Sequence, residues 1–284
     1  MMVVFHLMKL QKKCCKNKGL VKRPLFNLMV KLFMSDRDIH FNQFVRNLEE
    51  NSIAKKYYLS RGLSKKLIKD NLMGFCPVYS RYIFPLLRGR LIIPIRDIYG
   101  NTIALAGRQI PDLKDTLVES FWETFGFEPA KCQDRIVKWT KGKWINEPYQ
   151  KAKNLFFLDH SKDEVRRLNY LILVEGYFDV LSLYDNGVKN VAALCGTAIT
   201  DHQIALAARF CDNIVLLMDS DNPGTIAANK ASVKIEELGL KSFKVFLPFN
   251  MDPDDFAKNY DLAFLEPAIL KMIESNKKEL YINV

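Results

Sequence analysis

No apolar run among the 284 residues approaches the roughly 18 needed to cross a bilayer, so no transmembrane helix is expected. CxxC pairs are absent too. Cys14, Cys15, Cys76, Cys132, Cys195 and Cys211 are scattered, and no histidine stands near Cys14 and Cys15 at zinc-finger spacing. This argues against a structural zinc site and suits thiols kept reduced. Acid is missing before Asp36, whereas residues 1–35 hold seven Lys and one Arg. Much of the net charge of +10 therefore sits in that lead-in. The remainder is nearly balanced, so basicity alone does not establish nucleic-acid binding. The lead-in has no apolar stretch followed by a small-residue cleavage site, so it is not read as a signal peptide. A mitochondrial presequence would favour Arg and Ser over Lys, and an extension or an upstream start codon fits better. Internal repeats and low-complexity tracts are also lacking.

What is present centres on Leu171–Asp221. LILVEGYFDV opens this stretch and IVLLMDSD closes it. In each, an unbroken apolar run leads straight into a carboxylate, Glu175 in one and Asp219 with Asp221 in the other. Such runs read as strands buried on both faces of a parallel sheet. Carboxylates at their ends lie at the sheet's carboxyl edge, where open α/β sheets place ligands. Each acid taken alone reads equally well as a helix N-cap or a turn former. Three acids brought together would repel one another without a cation, and hard oxygen donors suit Mg²⁺ or Mn²⁺.

From residue 170 the pattern is repeated βα: strands at 170–175, 191–194, 214–219 and 243–247, with helices at 178–186, 201–210 (capped by Thr200) and 225–238. Asp252, Asp254 and Asp255 then open a helix, and a last helix is expected near 262–279. Upstream, Phe44–Lys69 reads as two helical pieces, the first running to Gly62 and the second capped by Ser64. MGFCPV reads as a strand. LIIPIRDIYGNTIALAGRQI (91–110) reads as a hairpin whose Pro94 suggests an edge or bulged strand. Residues 111–142 have no clean period. Lys131, Arg135, Lys138, Lys141 and Lys143 interleave there with Trp139 and Trp144. That pattern would suit single-stranded nucleic acid, but taken alone it reads better as a solvated charged loop anchored by two Trp.

VEGYFDV, GTAITDHQ, MDSDNPG and MDPDD, in this order, resemble the Toprim domain of DnaG-type bacterial and phage primases. YYLSRGLS, RGRLIIPIRDIYGNTIALAGR, KWINEP and KAKNLFFL resemble the basic subdomain that precedes it. The likeness covers about residues 44–260. The acidic motifs alone are shared with topoisomerases and OLD-type nucleases, whereas the upstream motifs belong to primases.

The resemblance implies an α/β fold, a Toprim parallel sheet flanked by helices and preceded by a mixed α+β basic subdomain. The expected division is a basic extension over 1–43, the basic subdomain over 44–165, the Toprim domain over 166–250, and an acidic motif with C-terminal helices over 251–284. It implies a nucleotidyltransferase, a DNA-directed RNA polymerase that makes short RNA primers on single-stranded DNA for replication. Glu175, Asp219 and Asp221 match the family's catalytic acids. The same three, with Asp179, Asp252 and Asp254, match its metal-binding acids for two Mg²⁺ or Mn²⁺ ions, with no zinc expected. Arg61, Arg108, Lys143, Asn146 and Lys151 match positions that contact nucleotide or template. Implied partners are single-stranded DNA and NTPs, with a replicative helicase or a separate zinc-ribbon protein beside them and no membrane. The implied setting is the cytoplasm of a bacterium or a phage-infected cell, with an organelle as the weaker alternative. Ser220 and Pro223 depart from the usual Gly and Ala but are turn-compatible, and 111–142 is longer than the usual connector. Competing readings are a Toprim nuclease and a non-catalytic replication protein that binds nucleic acid.

Overall fold

A computed structural model describes residues 40–77, 80, 82, 84–111, 142–196, 198–217, 222–248 and 251–282. Asp219, Asp221 and most of the basic-aromatic patch (Lys131, Arg135, Lys138, Trp139 and Lys141) lie outside the described residues. The chain forms two compact units. One comprises Met1–Lys55, Leu72–Ile93 and Ala106–Glu147; the other comprises Lys56–Asn71, Pro94–Leu105 and Pro148–Val284.

Helix α1 spans 40–50. It is followed by α2, Ser52–Ser60, and by α3, Lys65–Asp70. The apolar spacing through 44–61 suits one continuous helix, but the structure divides it at Asn51. The Asn51 side chain accepts the Ala54 N–H at 2.8 Å, which is the bond of an N-cap and starts a new helix there. The second expected piece is α3, with the Ser64 hydroxyl accepting the Leu67 N–H.

Four strands form an antiparallel sheet in the order β1-β2-β3-β4: Gly74–Cys76, Arg90–Arg96, Thr102–Gln109 and Trp144–Asn146. The hairpin turns as its residues demand. The Asp97 N–H donates to the Asn101 carbonyl at 2.9 Å, and the Asp97 carboxylate accepts the Tyr99 and Asn101 N–H groups. Pro94 does not mark an edge, because β2 lies between β1 and β3. The β1 ladder instead stops at Gly74↔Ile92, so no β1 partner is paired opposite the proline. Strand β4 is three residues long and went unread in the sequence.

Gly107 in β3 has a steric reason. A Cβ there would come within 2.5 Å of Leu87 Cδ2 and 2.9 Å of Arg90 Cδ. Both neighbours are buried, so they have little room to move. Gly107→Ala is expected to lower stability by about 1–3 kcal/mol through overpacking, read as a shift in the urea midpoint. An unshifted midpoint would mean that the sheet opens freely at this point.

In the second unit, α4 (Leu158–Leu168) leads into β5 (Tyr170–Val174). Then follow α5 (Tyr177–Asp185), β6 (Val191–Ala193), α6 (Asp201–Ala207), β7 (Asn213–Leu216), α7 (Asn222–Glu237) and β8 (Lys241–Phe246). The unit ends with α8 (Pro253–Asn259), α9 (Leu265–Glu274) and β9 (Glu279–Tyr281). All five strands run parallel, in the order β6-β5-β7-β8-β9.

Every residue of β5 and β7 is buried, as unbroken apolar runs require. Leu171 and Leu173 pack with Ile204, Ile214, Leu216 and Ile235 on one face. Ile172, Val174 and Val215 alternate with them toward the other. Full burial of such side chains contributes roughly 1.5–3 kcal/mol each. Helix α4 and strand β9 were not anticipated. No helix among the described residues is long and apolar enough to cross a membrane.

Helix α6 begins at the expected cap, Thr200, which forms a reciprocal pair with Gln203. The Thr200 hydroxyl accepts the Gln203 N–H at 3.2 Å, and Gln203 Oε1 accepts the Thr200 N–H at 3.1 Å. Thr200→Ala is expected to cost about 1 kcal/mol by thermal unfolding. Thr200→Ser, which retains the hydroxyl, should recover most of that loss.

Candidate active site at the carboxyl edge of the parallel sheet

The chain passes from β5 to β6 on one side and later places β7 on the other side of β5. Strand order therefore reverses at β5, and the carboxyl end of such a strand is where an open α/β sheet forms its binding crevice. Glu175 is the first residue beyond β5 and is partly exposed. Its backbone is held on the β6 side, where its carbonyl accepts the Cys195 N–H at 2.8 Å. The ladder is still formed one residue earlier, from Leu194 N–H to Val174 O at 3.0 Å. On the β7 side, the Leu217 N–H reaches the Leu173 carbonyl at 3.0 Å.

Asp179 lies in the first turn of α5, where its Oδ2 accepts the Gly176 N–H at 2.7 Å. It closes the turn that carries Glu175 into the helix, and a carboxylate is favourable at that positive end.

The acids after β8 serve three different roles. Asp252 is the N-cap of α8 and accepts the Asp255 N–H at 2.7 Å. Asp255 is exposed. Asp254 is 1% exposed, and its oxygens accept from the Ser182 hydroxyl on α5, from Arg61, and from Lys258 at 2.7 Å. Oxygens of Asp252, Asp254 and Asp255 lie within 4.8 Å of one another. The Arg61 guanidinium also stacks 4.7 Å over the Phe178 ring. Arg61 was expected at nucleotide or template, and Asp254 at metal; in the structure they are paired with each other. Ser182 and Lys258, which complete this node, carried no sequence signal beyond helical spacing.

Lys151 donates through Nζ to the Cys195 carbonyl. Cys195 has φ +57° and Gly196 φ +83°, so two consecutive residues are left-handed where the chain leaves β6. For a non-glycine residue that conformation costs about 1–2 kcal/mol and persists only where neighbours hold it.

In the first unit, Arg108 on β3 is buried and lies 5.4 Å over the Trp144 ring on β4. Register places Arg108 opposite Trp144, and Ala106 opposite Asn146. Asn146 Oδ1 is buried with no hydrogen-bond partner among the described residues. Lys143 is exposed, and its carbonyl accepts the Gln109 N–H at 3.1 Å. Arg90, not among the expected site residues, is 1% exposed and donates to the Gly142 carbonyl at 2.9 Å. Burial, and then the nearby Arg108 charge, push its guanidinium down to about 10. Its only sequence signal was an arginine opening an apolar strand.

The chemistry of the donor set fits a hard divalent cation. Glu175 and Asp252 present carboxylate oxygens on partly exposed residues. Asp254 is a poorer donor in this arrangement, because two cations and a hydroxyl already occupy its oxygens.

An all-parallel sheet with an acid beyond the strand at which its order reverses is a Toprim-like arrangement, and the Toprim-like family matches residues 172–257. The likeness extends further. The DNA primase of Aquifex aeolicus is 31% identical over 244 residues, covering 75% of this chain and 44% of that protein. The zinc-binding and RNA polymerase domains of the Aquifex aeolicus primase superpose with a TM-score of 0.67 at 27% identity, covering 84% of this chain and 60% of that one. A DnaG primase catalytic domain bound to single-stranded DNA shares the fold, with a TM-score of 0.64 at 22% identity, covering 86% and 78%. By kinship and fold, the chain belongs with the DnaG-type primase catalytic cores. It spans less than half the length of the Aquifex aeolicus relative.

Proposed function

We propose that this chain synthesises short RNA primers on single-stranded DNA, as a nucleotidyltransferase acting at the carboxyl edge of its parallel sheet. The supporting observation is that the kinship covers 75% of this chain, and so takes in the upstream antiparallel sheet as well as the acids. A Toprim nuclease would account for the acids alone.

Glu175, Asp219, Asp221 and Asp252 are the residues proposed to hold Mg²⁺ or Mn²⁺, with Asp179 keeping the Glu175 turn closed. When bound, such ions supply Lewis acidity that activates a 3′-hydroxyl and neutralises a departing pyrophosphate. Glu175 also stands ready as a proton acceptor at the same edge. Arg108, Lys143 and Asn146 are proposed to hold nucleotide or template. The buried Asn146 oxygen, without a hydrogen-bond partner among the described residues, is a position that a donor group of a ligand would satisfy. Asp254 is proposed to act as the counterion of Arg61 and Lys258. A cytoplasmic setting and single-stranded DNA as template follow from the same reading.

Purified protein incubated with labelled NTPs, single-stranded templates of mixed sequence and Mg²⁺ or Mn²⁺ should yield short, template-dependent RNA. Template binding without incorporation would replace this reading with an accessory nucleic-acid-binding protein. Cleavage of the template would replace it with a nuclease.

A further inference from the structure

We infer that Lys151 is a positioning residue: its ammonium, bonded to the Cys195 carbonyl, holds the left-handed turn after β6 against the backbone of Glu175. This rests on the catalytic edge proposed above and assigns Lys151 a role in shaping that edge, apart from phosphate contact.

Cys195 is gripped on every side. Its N–H donates to the Glu175 carbonyl at 2.8 Å, its carbonyl accepts from Lys151, and its thiol lies beside the Tyr177 hydroxyl. Tyr177 is the first residue of α5, two positions after Glu175. The residue in the disfavoured conformation is thus the one tied to the acid's own backbone and to the residue two positions beyond it. Removing one tie releases a turn that its own backbone preference does not maintain. Lys151 Nζ also covers the neighbouring glycine: a Cβ built on Gly196 would meet it at 3.9 Å.

The segment that carries Lys151 is itself anchored, so the ammonium does not reach from a loose loop. Gln203 Nε2 donates to the Lys151 carbonyl at 3.3 Å and to the Asn154 carbonyl at 2.9 Å. The Thr200 hydroxyl donates to the Ala152 carbonyl at 2.5 Å. Beyond Asn154, Phe156 and Ala193 exchange two backbone bonds of 3.0 Å, which covers the outer edge of β6. Residues 151–156 therefore form a strap along β6 and the following turn, with Lys151 as the clasp on Cys195. An ammonium held for phosphate alone would have no reason to be placed on a protein carbonyl.

The test compares Lys151→Met, Lys151→Gln and Lys151→Arg in the full chain. Three quantities are read: amide hydrogen exchange at Cys195, kcat and KM for NTP in primer synthesis, and the salt slope of single-stranded DNA binding. Positioning predicts that Lys151→Met speeds exchange at Cys195 at least tenfold and lowers kcat by a similar factor, while KM and the salt slope stay within twofold. Lys151→Arg should recover most of both losses. Lys151→Gln, neutral but still a donor, should fall between. A phosphate contact predicts the opposite: unchanged exchange, a raised KM, a shallower salt slope, and Gln no better than Met. That pattern, or no change in any variant, overturns the inference. If the wild-type chain makes no primers, the functional reading fails, while the exchange measurement still decides whether Lys151 holds the turn.

Discussion

Glu175→Gln is expected to reduce primer synthesis by about 10³-fold or more while the protein still unfolds cooperatively near the wild-type temperature. The magnitude follows from losing a group that serves metal binding or proton transfer, effects worth several kcal/mol in a transition state. The substitution keeps the shape of the side chain at a partly exposed strand end, and the backbone bond from Cys195 N–H to Glu175 O does not involve it. Asp219→Ala should be equally damaging if that residue shares the ions. Primer yields and thermal midpoints measured together would decide. Retention of more than a tenth of the activity by Glu175→Gln would remove the catalytic edge from the argument.

Asp254→Ala should produce the largest loss of stability, about 3–5 kcal/mol, because it removes the buried carboxylate to which two cations and a hydroxyl are bonded. Arg61 and Lys258 are 29% and 23% exposed, and Asp254 is 1% exposed, so solvent screens this node weakly. The Ser182 hydroxyl would lose its acceptor at the same time. Asp254→Asn, which keeps the shape and removes the charge, should recover only part of the loss. Urea unfolding of the three proteins gives the comparison. A change below about 1 kcal/mol for the alanine variant would show a pair of the weak, solvent-screened kind.

Much of the second unit is legible in the chain because its signals are short-range. An apolar run with no polar alternation can only be covered on both faces, and β5 and β7 are. Thr200 and Gln203 stand three residues apart, which is the whole geometry of a capping box. Asn51 shows where short-range reading stops. The apolar spacing carries through it, and only its side-chain bond to Ala54 N–H reveals that a second helix starts there. Strands β4 and β9 are three residues each, too short for any period, and they exist because a neighbouring strand offers a free edge.

The sequence by itself determined the parallel βα unit, the acid at the end of β5 and the primase kinship, because alternation, capping and motif order are written within a few residues. It also singled out Arg61, Lys151 and Asp254 as charged residues. Only the tertiary structure decided whom each charge faces. Arg61 meets Asp254 across 193 residues of chain, and Lys151 meets Cys195 across 44. A cation of either kind could serve a phosphate, a carboxylate or a carbonyl. The choice rests on which oxygen the packed backbone brings within reach, and no local pattern encodes that distance.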